Sequence, residues 1–174
     1  NAYLDNKADA GMIGCRLLFE DGKVQHAGQQ VFTNEIKTAD KTAMMVTHRG
    51  YNQEEEYNQD APEPVFGNTC AHAIISYRLF MEIGGFNERY RYCFEDVELN
   101  IDCLVRSKKN LYLDYVTAFH YESVSRHAQY DMTHETQRQR YDYTLLLEPY
   151  LRENFEHIKE FLQEIVVDKE AASV

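Results

Sequence analysis

The sequence predicts an α/β domain, a mixed sheet with flanking helices, followed by C-terminal helices. Three observations predict it. The apolar, β-compatible run at 12–19 (MIGCRLLF) meets a turn at Asp21-Gly22 and a returning run at 24–27. The stretch 77–83 has helical character and stops at Gly84-Gly85, a C-cap signal. The stretch 96–108 carries Val97, Leu99, Ile101, Leu104 and Val105 as a helical stripe, and short extended runs follow it.

Length and composition set the frame. The chain has 174 residues, 44% of them hydrophobic and 13% aromatic, which suits a single domain with a real core rather than a disordered chain. Its 18 Lys and Arg stand against 29 Asp and Glu, a formal net charge of −11. That acidity excludes duplex nucleic acid as an expected partner, because such a surface needs a basic footprint. No apolar run approaches the ~18 residues that suggest a membrane span, and the polar start does not read as a signal peptide. Cys15, Cys70, Cys93 and Cys103 form no C-x-x-C pair and no zinc spacing, so reduced, mostly buried thiols in a cytoplasmic setting are expected.

In chain order, 12–19 reads as a strand and 24–27 as its return. The polar stretch 33–64, with Glu54-Glu55-Glu56 and then Pro62 and Pro64, lacks a clear period and reads as a long excursion of the kind that forms lids. The Glu triplet alone reads as a solvated acidic insertion. Val65-Phe66 and 71–76 read as buried and extended, and 111–113 and 116–119 as short separate strands. The stretch 132–170 reads as helical with a break at Pro149. There Phe155, Ile158, Phe161, Leu162 and Ile165 form a face for packing on the domain or on a partner. The resulting division is 1–130 and a helical extension, 131–174.

Glu95-Asp96-x-Glu98 and Asp102 place four carboxylates within eight residues. Asp96 falls in the first turn of its helix, where backbone N–H groups can hold a carboxylate that accepts a proton from a hydroxyl. On spacing alone the plainer reading is a capping Asp with exposed acidic neighbours. His120 follows an apolar strand in the run H-Y-E-S-V-S-R. Imidazole can ligate a divalent metal and Arg126 can pair with phosphate oxygens, although a strand-end His is more often a hydrogen-bonded structural residue. His26 and His48 are weaker signals.

The ordered set V-Q-H-A-G (24–28), H-R-G-Y (48–51), L-F-M-E-I-G-G-F-N-E-R-Y (79–90), F-E-D-V-E-L (94–99) and H-Y-E-S-V-S-R (120–126) resembles the second half of a family 2 glycosyltransferase of GT-A fold. The resemblance implies a partial GT-A fold in a parent enzyme that moves a sugar from a nucleotide diphosphate sugar, commonly a UDP-sugar, onto a glycan or other hydroxyl acceptor with inversion. It implies Asp96 as general base, Glu95 holding acceptor or donor, His120 as ligand to Mn²⁺ or Mg²⁺, and Arg126 in a segment closing over the diphosphate. It further implies residues 66–71, with Asn68 and Thr69, lining the donor-sugar pocket, and His48 and Arg49 close to the substrates. The chain departs from the family pattern at Asn68-Thr69-Cys70-Ala71 and at Asp102.

The half of such a fold that carries the nucleotide-binding units and the Asp-x-Asp pair is absent from the sequence. The chain alone is therefore expected to be inactive and to hold no metal by itself. Its uncovered strands are expected to pair with another copy, giving a homo-oligomer. The parent protein is expected in the cytoplasm, at the inner face of the membrane. The alternative is a non-catalytic binding or assembly module on the same scaffold.

Overall fold

The computed structural model describes residues 8–36, 41–54, 60–121 and 132–165. The fold class is α/β, as expected. The first sheet follows the order β2-β1-β7-β5 and has β6 paired on β1. Its strands are β1 (Ala10–Leu18), β2 (Val24–His26), β5 (Glu63–Val65), β6 (Ala73–Ile74) and β7 (Lys109–Phe119). All nine residues of β1 are buried. This central position explains its near-continuous apolar sequence.

Strand β7 runs parallel to β1 and is one strand, where the sequence suggests two. The register jumps from Cys15↔Leu113 to Arg16↔Thr117, so residues 114–116 bulge out of the ladder. The two apolar runs read from the sequence lie on either side of Asp114 and Tyr115 in that bulge. Inside it, Asp114 pairs with the buried Arg16.

The excursion expected over 33–64 is largely a hairpin. Strands β3 (Gln29–Ile36) and β4 (Lys41–His48) pair antiparallel in unbroken register from Gln29↔His48 to Ile36↔Lys41. The C-terminal strand β8 (Leu162–Ile165) joins β3 in parallel to complete a second sheet, β4-β3-β8. The stripe through Leu162 and Ile165 thus ends in a strand and not in a helix. Glu55 and Glu56 lie outside the described residues.

Helix α1 (Tyr77–Ile83) starts on Ser76, whose hydroxyl accepts the Leu79 N–H. It ends at Gly84, where φ is +101°. Helix α2 (Glu95–Val105) buries Val97, Leu99, Ile101 and Leu104, each contributing roughly 1.5–3 kcal/mol. Helix α3 (Met132–Asp142) passes through a π-helical turn (Tyr143–Leu147) into α4 (Glu148–Glu153). Pro149 therefore does not break the helix. The turn ahead of it widens, with the Glu148 N–H donating to the Tyr143 carbonyl, and accommodates a residue that cannot donate. Helix α5 (Phe155–Ile158) and a 3-10 turn lead to β8.

One core joins these parts. Leu147, Leu151 and Ile158 from the C-terminal helices pack with Val31, Met44, Phe66, Val97 and Ile101. No helix among the described residues is long and apolar enough to cross a membrane. Cys15 and Cys103 are buried, Cys93 is half-buried and Cys70 is exposed; all four are free thiols.

Candidate functional site

The loop after β5 is held by buried amides. Asn68 is fully buried, and its side-chain NH₂ donates to the carbonyls of Met12 (3.3 Å) and Leu111 (3.1 Å) on β1 and β7. From α2, Asn100 accepts the Asn68 N–H at 3.1 Å and donates to the carbonyls of Asn68 and Asp96, both at 2.7 Å. Asn110 accepts the Met12 N–H and donates to the carbonyls of Phe66 and Asn100. Glycines make room for this network. A Cβ on Gly14 would lie 2.4 Å from the Asn68 side chain, and one on Gly67 would lie 2.6 Å from Asn100. The side chain of Asn68 holds the backbone from inside and does not present itself to a donor sugar.

Beyond Asn68 the loop reaches the surface. The Thr69 N–H faces His26 Nε2 at 3.4 Å, and the Thr69 hydroxyl accepts the Ala71 N–H. The Cys70 N–H donates to Asp96 Oδ2 at 3.2 Å. Asp96 stands in the first turn of α2 but caps nothing there. The N-cap is Phe94, in the left-handed region at φ +77°, without a side-chain cap bond.

The four carboxylates divide by their partners. Glu98 accepts from Asn87 Nδ2 (2.9 Å) and from the Tyr90 hydroxyl (2.7 Å). Burial, and then the Glu98 carboxylate, push that hydroxyl well above its usual range, so it remains a donor. Asp102 accepts from Arg106 and from the Tyr150 hydroxyl, and so docks α4 on α2. Asp96 is half-exposed, and among the described residues its Oδ1 has no protein hydrogen bond. Glu95 adjoins it, also half-exposed.

Three histidines sit at the end of β2, at the end of β4 and just after β7. His26 is buried with its ring edge-on to His48 at 4.8 Å. Burial first, then the neighbouring His48, lower His26 to about 3, so its ring is neutral. His48 Nδ1 lies 3.3 Å from the Gln25 carbonyl. His120 Nδ1 lies 2.7 Å from Gln25 Oε1, while its N–H donates to the Leu18 carbonyl at 3.0 Å. Contacts thus run without a gap from Asp96 through Cys70, Thr69, His26, His48 and Gln25 to His120.

Arg49 is placed elsewhere. Its guanidinium grips Glu63 with two bonds, at 2.9 and 2.7 Å, and its Nε donates to the Ala27 carbonyl. It lines a cavity of about 390 Å³ with Arg16, Glu63, Tyr112 and Asp114; neither Asp96 nor His120 lines it. Three of its N–H donors are thus engaged within the chain, while the side chain stays part-exposed. Arg126 lies outside the described residues.

A divalent cation fits these residues poorly. His120 offers one imidazole nitrogen, with Nδ1 already against Gln25, and no group of three His, Cys, Asp or Glu that could hold a metal ion occurs among the described residues. Mn²⁺ or Mg²⁺ wants several oxygen ligands.

The sequence reading missed Gln25, Asn100, Asn110 and Asp142. The available signal was polarity inside apolar runs: Asn100 interrupts V-E-L-N-I and Asn110 precedes L-Y-L.

The comparisons with known proteins bear on this arrangement. The chain matches 126 residues of O-antigen biosynthesis protein RfbC of Myxococcus xanthus at 29% identity, covering 70% of this chain and 9% of that protein. It also matches uncharacterized protein y4gI of Sinorhizobium fredii at 25% identity over 124 residues, covering 71% of this chain and 13% of that one. The chain spans only a small part of the length of these relatives. No protein-family model matches it, and no solved structure does.

Proposed function

We propose that this chain is the acceptor-side half of an inverting glycosyltransferase of GT-A fold, with Asp96 as general base. The observation that carries the reading is the state of the Asp96 carboxylate. It is half-exposed, fixed through one oxygen to the loop at Cys70, and beside acidic neighbours at 98 and 102 that are engaged internally. The similarity to an O-antigen biosynthesis protein supports a role in glycan assembly.

In the proposed reaction an acceptor hydroxyl approaches Asp96. The carboxylate takes its proton as the oxygen attacks the anomeric carbon of a nucleotide diphosphate sugar, and the nucleotide diphosphate departs from the opposite face. Positioned proton transfer of this kind is worth typically about 10²–10⁴-fold. Glu95 holds a substrate hydroxyl, and Thr69 borders the donor sugar. His48 and His120 line the far end of the contact path. The nucleotide-binding elements are supplied by polypeptide outside this chain.

The test is sugar transfer by the full-length protein, with a panel of UDP-sugars and glycan acceptors and product stereochemistry read by NMR. The reading expects a product whose anomeric configuration is opposite to that of the donor. A retained configuration would exclude Asp96 as the base of a direct displacement.

A further inference from the structure

The end of α3 grips the segment that leads into the acidic pair. Asp142 is fully buried. Its Oδ1 and Oδ2 each lie 3.0 Å from the Arg91 N–H, and Oδ2 also accepts the N–H groups of Tyr92 (2.7 Å) and Cys93 (3.1 Å). Three successive backbone donors converge on one carboxylate, the concave arrangement with which backbones bind anions, here filled by the chain's own side chain. The next residue continues the grip. The Tyr143 ring packs edge-on against Phe94 with centroids 6.2 Å apart, and its hydroxyl donates to the Met44 carbonyl on β4. Phe94 holds φ +77°, a conformation costly for an aromatic residue that persists where its surroundings over-determine it. Residues 91–94 are thus fixed one after another by positions 142 and 143, and the following two residues are Glu95 and Asp96. The widened π turn begins at Tyr143 itself.

From this geometry we infer that Asp142, with Tyr143, is a positioning residue: it sets the backbone from which Asp96 reaches its substrate and Cys70. The inference rests on the reading of Asp96 given above. Asp142 touches no reacting atom. Its removal acts through the direction of the Asp96 side chain, where misplacement by about 1 Å can cost up to ~10²-fold in rate.

The experiment compares Asp142→Asn, Tyr143→Leu and Asp102→Asn in the full-length protein, each checked for a cooperative unfolding transition. Asp102→Asn is the control, since it loosens the docking of α4 without touching residues 91–94. The readouts are kcat and KM for sugar transfer and the alkylation rate of Cys70, whose N–H is held by Asp96. Asp142→Asn and Tyr143→Leu are expected to lower kcat about 10-fold or more, with KM for the nucleotide sugar within about 3-fold, and to change Cys70 labelling at least about 3-fold. Asp102→Asn is expected to lose stability while keeping kcat and Cys70 labelling. Folded Asp142→Asn protein with unchanged Cys70 labelling would overturn the inference, as would a kcat loss matched by Asp102→Asn. If Asp96→Asn leaves transfer intact, the catalytic reading fails, and Cys70 labelling still decides whether Asp142 orients position 96.

Discussion

Asp96 Oδ2 accepts the backbone N–H of Cys70 at 3.2 Å and so ties the first turn of α2 to the loop that follows β5. Desolvation, and then the charges of Asp96 and Glu95, push the Cys70 thiol up to about 12. Although Cys70 is exposed, its alkylation at pH 8 is expected to be slow and to keep rising through pH 10 without a plateau. Asp96→Asn should speed it several-fold. Peptide mass spectrometry after timed iodoacetamide labelling measures both. A labelling midpoint near the ordinary thiol value of about 8.5 would separate Cys70 from the two carboxylates.

The buried asparagines make a stability prediction. Asn100→Ala leaves the Asn68 N–H and carbonyl without their α2 partner inside the protein, at a cost of about 2–4 kcal/mol. Gly14→Ala drives a methyl into Asn68 and should cost about 1–3 kcal/mol. Urea unfolding reads both. Midpoints within error of the parent would mean that the network does not hold the loop.

Acid should weaken the fold through His26. Its folded value, about 3, lies below its unfolded value near 6.5, so between these limits the unfolded chain binds more protons. Stability is therefore fully present above about pH 6.5 and falls as the pH drops through that window, by up to about 1.4 kcal/mol per pH unit. His26→Gln should show a shallower decline than the parent between pH 6 and 4 in matched denaturant titrations. Identical slopes would contradict a neutral, buried His26.

Arg16 and Asp114 form a buried ion pair inside the β7 bulge. Arg16→Met should cost about 3–5 kcal/mol, because it removes the charged partner of the buried Asp114 carboxylate. Joint replacement by Met and Leu should cost less than Arg16→Met alone. A double-mutant cycle with additive losses would show that the two charges are not coupled.

The sequence reading succeeded where the signal is local. Gly84 ends α1, Asp21-Gly22 turns β1 into β2, and the stripe from Val97 to Leu104 makes α2. It failed where pairing is supplied from far away. Gln29, Gln30, Thr33 and Asn34 give β3 too little alternation to read as a strand, yet β3 is the centre of a sheet whose other edge, β8, arrives from the chain's far end. Leu162 and Ile165 match a helical period and become a strand only because β3 offers them a ladder. The place of Asp96 in the first turn of α2 was legible. Asp142 was not, because a single Asp in a polar helix carries no mark of the backbone donors it meets fifty residues away in sequence. Nothing in H-R-G-Y reveals that Glu63 will face Arg49.

The most direct measurement is the transfer rate of Asp96→Asn beside that of Glu98→Gln in the full-length protein, both verified as folded. Asp96→Asn is predicted to lower kcat by about 10²–10³-fold, while Glu98→Gln, at a carboxylate bonded to Asn87 and Tyr90, keeps most of the activity. Equal rates for Asp96→Asn and the parent, with sugar still transferred, would contradict the account and leave the chain as a binding or assembly module.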